Sequence, residues 1–138
     1  MSRFVLDASV VLTWCFPDER AQKAEAVSDR IAAGDRAVVT AFCPHEVLNA
    51  LLMGERRKRL KPELTRAFLQ DLNRMSVDVD TAATSASVFQ KIQELCRKHG
   101  LTAYDAAYLE LAMRETQLLA TVDDDLAAAA LAEGITLL

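Results

Sequence analysis

The chain has 138 residues, of which 51% are hydrophobic, 26% are charged and 6% are aromatic. This length and composition suffice for one domain with its own hydrophobic core, so extensive disorder is excluded and a single domain over residues 1–138 is expected. The formal net charge of −4, from 20 acidic and 16 basic residues, argues against a protein that coats nucleic acid through bulk positive charge. It does not argue against an enzyme that cuts nucleic acid.

Short apolar runs alternate along the chain with longer segments of helical periodicity. In chain order, we predict a strand at 3–6, a helix at 20–33, a strand at 37–40, helices at 44–60 and 62–75, a strand at 77–79, helices at 81–99 and 102–116, a strand at 118–121, a helix at 123–133 and a weaker strand at 135–138. Glycine follows three of these helices, at Gly34, Gly100 and Gly134, as is typical of helix ends. The alternation predicts an α/β domain with a mainly parallel sheet of four to five strands and helices on both faces.

The cysteines and the apolar runs also bear on where the protein acts. Cys15, Cys43 and Cys96 are odd in number, far apart and without Cys-x-x-Cys spacing. They are typical of reduced thiols packed in a core, which favours a cytoplasmic protein. Pro17 and the charged residues after it interrupt the N-terminal apolar sequence, so no signal peptide or membrane span is expected.

Four acids are predicted to meet at one edge of the sheet. In a parallel α/β fold the carboxyl ends of strands and the amino ends of helices share an edge, where ligands bind. Asp7 follows the first strand and Asp123 follows the fourth, whereas Glu46 and Asp105 fall in the first turns of helices. Each acid is also open to a purely structural interpretation, because helix caps and helix dipoles favour acids at these positions.

Clustered carboxylates repel one another, and burial strengthens the repulsion unless a cation neutralises them. A hard divalent cation, Mg²⁺ or Mn²⁺, is the natural partner for such oxygens. His45 and His99 are isolated and lack the spacing of a zinc site.

Four motifs in the right order resemble those of a known family. They are Asp7-Ala8-Ser9 after the first strand, Glu46 with Asn49 one turn later, the Thr-Ala-Tyr-Asp-Ala-Ala-Tyr sequence at 102–108, and the Leu-Ala-Thr-Val-Asp sequence at 119–123. Together they resemble the PIN-domain ribonucleases, and most of all the VapC toxins of type II toxin-antitoxin pairs. The resemblance implies a three-layer α/β/α domain and a hydrolase, a metal-dependent endoribonuclease in which a metal-activated water attacks the phosphodiester.

The resemblance also implies roles for individual residues. Asp7 and Asp105 would be the principal metal ligands, Glu46 would act directly or through water, and Asp123 would complete the cluster or hold a second ion. The residues expected to support these four acids are Ser9, Asn49, Thr121 and Asp125. Two alternatives stay open: Ser9 and Thr121 could instead cap the adjoining helices, and Asp125 could be a cap or an auxiliary acid. Asp123 is preferred as the fourth acid because it follows Thr121 at the family's Thr-x-Asp spacing.

A basic stretch and a tryptophan are candidate sites for binding partners. The basic stretch Arg56, Arg57, Lys58 and Arg59 could bind RNA phosphates or an acidic partner segment, or could simply complement a helix terminus. Trp14 could line an antitoxin groove or pack in the core. The resemblance implies an RNA substrate, an antitoxin that wraps the helices around 48–69, and a homodimer.

Two other classes of protein compete with this interpretation. An aspartyl-phosphate phosphatase or receiver-like domain also has an Asp after its first strand. The phosphatase, however, needs an acid where this chain has Ser9, and the receiver needs a lysine that the fourth strand lacks. The other competitor is a non-catalytic protein-interaction module whose acids only cap helices.

Overall fold

The computed structural model describes residues 2–82 and 84–138. In these residues the chain forms five strands and seven α-helices. They are β1 (Arg3–Leu6), α1 (Ala8–Cys15), α2 (Ala21–Ala32), β2 (Arg36–Val39), α3 (Cys43–Arg56), α4 (Pro62–Asn73), β3 (Val77–Val79), α5 (Ala86–His99), α6 (Ala103–Leu111), β4 (Leu118–Ala120), α7 (Asp124–Ala132) and β5 (Thr136–Leu137). A π-helical turn, Ala112–Thr116, extends α6.

All five strands are parallel, in the order β3-β2-β1-β4-β5. The chain builds outward from β1 in one direction through β2 and in the other through β4. The boundary between β1 and β4 is therefore the topological switch point, where open α/β sheets form a crevice at the carboxyl ends of the strands. The fold thus directs attention to the residues just after β1 and β4.

The strands are buried because helices cover both faces of the sheet. α1 packs against α2 and α3, and α3 against α4, whereas α6 packs against α5 and α7. The apolar run of β1 has no polar alternation, as expected for a strand covered on both faces. The result is the predicted three-layer α/β/α architecture, with a sheet that is parallel throughout.

The sequence missed one helix, and two predicted helix ends differ from the structure by four or five residues. Helix α1 was not expected, since the β-branched run after Asp7 obscures its helical period. Helix α3 ends at Arg56 and not at residue 60, because Lys58 has a φ of 58°. Helix α5 begins at Ala86 and not at residue 81; residue 83, which belonged to the predicted helix, lies outside the described residues.

In the described part of the chain, no helix is both long enough and apolar enough to cross a membrane.

Candidate active site

Asp7 lies at the switch point, directly after β1. Its backbone amide donates to the Ala120 carbonyl at 3.0 Å, which joins the ends of β1 and β4. Its side chain is only 3% exposed. The Oδ2 atom accepts hydrogen bonds from the hydroxyls of Ser9 at 2.6 Å and Thr121 at 2.7 Å. Burial raises the pKa of this carboxyl, whereas the two hydroxyl donors oppose that rise.

Ser9 and Thr121 also accept hydrogen bonds from the loop after β4. The Ser9 hydroxyl accepts from the Val122 amide at 3.1 Å, and the Thr121 hydroxyl accepts from the Asp123 amide at 3.0 Å. Neither hydroxyl caps the adjoining helix. Of the two interpretations left open by the sequence, the geometry favours the one in which these hydroxyls orient the Asp7 carboxylate.

Glu46 enters the cluster from the first turn of α3. Its Oε1 accepts a hydrogen bond of 2.9 Å from the hydroxyl of Tyr108, which is completely buried in α6. Burial is the largest cause that raises the pKa of Glu46, the Tyr108 hydroxyl lowers it, and the charges of Asp7 and Asp105 raise it. Tyr108 is a site residue that the sequence reasoning missed. The available signal was a tyrosine one turn after Asp105 in an apolar helix, since a buried hydroxyl needs a partner.

Asp105 lies in the first turn of α6, beneath the helix cap. The Thr102 hydroxyl accepts from the Asp105 amide at 3.2 Å, as the capping motif predicts. Burial, followed by the charges of Asp7 and Asp123, raises the pKa of the Asp105 carboxyl to about 6. The same residue therefore takes part in a helix cap and directs a partly desolvated carboxyl toward other acids.

Asp123 is the cap of α7, since its Oδ1 accepts from the Leu126 amide at 2.8 Å. Of the two roles left open for Asp125, the cap belongs to Asp123 instead. Asp125 is exposed in the first turn of α7, and it is the smallest of the causes that raise the pKa of Asp105. Asp123 contributes to the raised pKa of both Asp7 and Asp105 and so belongs to the cluster electrostatically.

The four acids, Asp7, Glu46, Asp105 and Asp123, are called the acid cluster below. Over residues 2–82 and 84–138, no Lys or Arg side chain forms an ion pair with any of them. Arg20 lies beside the cluster, where its Nη1 donates to the Val122 carbonyl at 2.8 Å, but its charge is paired with Asp18. The cluster is therefore left with uncompensated negative charge.

The donor chemistry of the acid cluster fits a hard divalent cation such as Mg²⁺ or Mn²⁺, which takes carboxylate oxygens. In the part of the chain that is described, no three side chains of His, Cys, Asp or Glu are close enough together to form a ready coordination shell. The acids are within electrostatic range of one another without meeting at a single point. Mg²⁺ tolerates such an arrangement, because it keeps several of its own waters and often takes only one or two carboxylates.

Comparison with known proteins identifies the family. A family model described as PIN domain matches residues 4–132. This chain belongs to the PIN domain family. It is 30% identical over 125 residues to Ribonuclease VapC3 of Pyrobaculum aerophilum, a match that covers 91% of this chain and 92% of that protein. The resemblance inferred from the motifs is confirmed, and the family match does not support the phosphatase or receiver alternatives.

Two solved structures share this PIN fold. VapC20 of Mycobacterium tuberculosis, described as a sarcin-ricin loop cleaving toxin, has a TM-score of 0.65 at 17% identity, over 91% of this chain and 94% of that chain. VapBC2 of Rickettsia felis, bound to a DNA fragment from its promoter, has a TM-score of 0.67 at 13% identity, over 99% of this chain and 97% of that chain. At these identities the likeness shows the fold alone.

Within the described part of the chain, the remaining predicted residues form no hydrogen bond or ion pair with the acid cluster. Asn49 is exposed one turn after Glu46, and its amide is directed at the sulfur of Met53, 3.8 Å away. The basic residues 56–59 lie at the opposite end of α3, about 15 Å from Glu46 at 1.5 Å per helical residue. The Nε1 of Trp14 donates to the Ala24 carbonyl at 2.7 Å, which packs this half-buried ring between α1 and α2. This hydrogen bond agrees with the core interpretation of Trp14, and the same side chain also lines an apolar cleft together with Leu69 and Leu72.

Proposed function

We propose that this chain, residues 1–138, works as a single PIN domain whose activity is metal-dependent endoribonuclease cleavage, as the toxin of a VapBC-type pair. The observation that carries the proposal is the acid cluster at the switch point, whose four carboxylates form no ion pair with a Lys or Arg among the described residues. The proposal is also supported by the similarity to VapC3 of Pyrobaculum aerophilum, which is named as a ribonuclease.

In this proposal Asp7 and Asp105 hold Mg²⁺ or Mn²⁺, Glu46 acts directly or through water, and Asp123 completes the cluster. When bound, the cation would lower the pKa of a water molecule and would stabilise negative charge on the phosphoryl oxygens. The hydroxyls of Ser9 and Thr121 keep Oδ2 of Asp7 in place, and Tyr108 does the same for Oε1 of Glu46. Because the donors are held by the fold, little reorganisation is needed when the cation and the phosphate bind.

We also propose an antitoxin partner, in line with the VapBC2 structure that shares the fold. Apolar side chains on α3 and α4 are exposed to solvent, among them Leu48, Met53 and Leu64. An apolar cleft of about 250 Å³ lies between these helices and the sheet, and Leu69 and Leu72 line it. Exposed apolar surface of this kind is typical of protein interfaces. Residues 56–59 could hold RNA or an acidic segment of that partner, and a homodimer is part of the same proposal.

The test is cleavage of a mixed RNA pool by the purified protein, with the cut sites sequenced. We expect cleavage with Mg²⁺ or Mn²⁺, none after chelation, and 5′-phosphate ends. Asp7→Asn and Asp105→Asn should abolish cleavage while the fold persists. Asp71→Asn is the matched control, since Asp71 is an exposed acid whose only ion pair is a weak one with Arg74 at 3.7 Å. Full cleavage by both cluster variants would overturn the proposal.

A further inference from the structure

Two aromatic rings stand in contact with each other on the surface. Phe42 and Tyr104 have ring centroids 5.9 Å apart and planes at 81°, an edge-to-face pair. Their side chains are 40% and 55% exposed. In an edge-to-face pair only one face of one ring is covered by the partner, so aromatic surface remains available on both residues.

The pair lies at the rim of the acid cluster. Phe42 is the cap residue of α3, and its carbonyl accepts from the amide of Glu46 at 3.0 Å. Tyr104 directly precedes Asp105 in the first turn of α6. The rings therefore join the first turns of the two helices that supply Glu46 and Asp105.

The charge around this rim determines what kind of contact RNA could make there. Asp124 and Asp125 add two exposed acids next to the cluster. The guanidinium of Arg20, which lies beside the cluster, is paired with Asp18. Phosphates that do not face a bound cation are repelled by such a surface, and the basic residues 56–59 are at the far end of α3. A nucleobase is uncharged and is therefore not repelled by these acids. Stacking on an aromatic ring is favourable for every base.

We propose that Phe42 and Tyr104 form a stacking platform for an unpaired nucleobase next to the scissile phosphate. The inference rests on the proposed ribonuclease function and adds the feature of the substrate that this site reads. A base can reach the platform only if it is out of a duplex, so the platform selects single-stranded or looped RNA. In this scheme Tyr104 positions the nucleobase, and Phe42 holds the ring of Tyr104 in place.

The test combines removal of a ring with removal of a base. The probe is an unstructured 12-nucleotide RNA with one cleavage site, together with a series in which each nucleotide near that site lacks its base. For the wild type, KM should rise about tenfold at one abasic position, with kcat nearly unchanged. Tyr104→Ala should raise KM for the intact RNA by a similar factor and should show no further rise with that abasic RNA.

Two variants control for other roles of Tyr104. Tyr104→Phe keeps the ring and removes the hydroxyl, so it should retain the wild-type KM and the wild-type response to the abasic RNA. Leu131→Ala removes an exposed apolar side chain near the far end of α7 and should change neither constant. Phe42→Ala should follow Tyr104→Ala. If the abasic RNA still raises KM about tenfold in Tyr104→Ala, the platform is overturned.

A second measurement separates this inference from the proposed function. RNA that carries 2-aminopurine at the sensitive position, or at each position in turn if no cleavage is found, is titrated with protein in Ca²⁺. Quenching by the wild type and by Tyr104→Phe, but not by Tyr104→Ala, supports the platform even if the wild type cuts no RNA. Cleavage without any ring-dependent quenching leaves the ribonuclease proposal standing and overturns the platform. Loss of antitoxin binding alone in Tyr104→Ala would assign the rings to the partner protein and would also overturn it.

Discussion

The side chains of Asp80 and Glu110, 7% and 6% exposed, are almost as deeply buried as Asp7, yet they carry a counter-charge that Asp7 lacks. Arg114 binds both carboxylates through two contacts each, at 2.8 and 3.1 Å to Glu110 and at 2.9 and 3.3 Å to Asp80. These hydrogen bonds raise the pKa of Arg114. Asp7, by contrast, is stabilised only by neutral donors, among them two hydroxyls.

The difference between these two regions separates acids that a guanidinium pairs from acids that only neutral donors contact. At Arg114 the protein supplies a counter-charge of its own, one guanidinium shared by the two carboxylates, and ties the end of β3 to α6. At the acid cluster the described residues supply no such counter-charge, so burial and mutual repulsion raise the pKa of Asp7, Glu46 and Asp105. A site with this imbalance gains stability when a cation enters, which is the physical basis for expecting a metal there.

The largest effect is expected from removal of the structural counter-charge. Arg114→Met should leave two buried carboxylates unpaired and should lower the free energy of unfolding by about 3–5 kcal/mol. Arg66→Met is the matched control, because Arg66 forms only an exposed pair with Glu63 at 3.6 Å and should cost less than about 0.5 kcal/mol. Urea denaturation of the three proteins measures the difference. Similar losses in both variants would show that Arg114 does not act as the counter-charge of the two buried carboxylates.

A smaller effect is expected when one of the Asp7 donors is removed. Thr121→Val keeps the shape of the side chain and removes a hydrogen bond to a buried carboxylate, at a cost of about 1.5–3 kcal/mol. The affinity for Mn²⁺ should fall about 10- to 100-fold, because Thr121 no longer holds the Asp7 carboxylate in place. Calorimetric titration with Mn²⁺ measures the affinity.

Thr116→Val is the control for that experiment. The Thr116 hydroxyl donates to the Leu118 carbonyl at 2.8 Å, a neutral acceptor away from the cluster. Its loss should cost about 1 kcal/mol and should leave Mn²⁺ affinity unchanged. An equal fall of affinity in both variants would contradict an orienting role for Thr121.

Much of this arrangement could be predicted from the chain, because topology alone gathers the ends of parallel strands. The strand Val77–Val79 was predicted residue for residue, and the glycines that end helices have the expected positive φ, such as 66° at Gly100. Asp7 and Asp123 were predicted at one edge because each follows a strand of a parallel sheet, and the structure shows that these two strands are neighbours.

The rest depends on contacts between residues far apart in the chain. The bond from Tyr108 to Glu46 spans 62 residues, and the Arg114 pair with Asp80 spans 34, so no local pattern contains them. Helix α1 was missed for a different reason: its β-branched residues favour a strand locally, and packing against α2 and α3 overrides that preference. The role of Asp125 stayed open because three consecutive acids offer equivalent capping patterns, and the structure assigns the cap to Asp123.

The smallest effect, and the one that most directly tests the uncompensated charge of the acid cluster, is the pH dependence of Asp105→Asn. The pKa of Asp105 is raised from 3.8 to about 6, so the folded protein holds this proton more tightly than the unfolded chain does. The stability that this group contributes is present below about pH 4 and is lost as the pH rises through about 6. In metal-free buffer the wild type and Asp105→Asn should therefore unfold at similar temperatures near pH 4, whereas at pH 7 the variant should be more stable, by roughly 1 kcal/mol.

Saturating Mn²⁺ at pH 7 should reverse the order, because the cation stabilises only the charged carboxylate. Thermal unfolding at the two pH values, with and without Mn²⁺, gives all four comparisons, and a variant that is less stable than the wild type in metal-free buffer at pH 7 would show that the acid cluster has its own internal compensation.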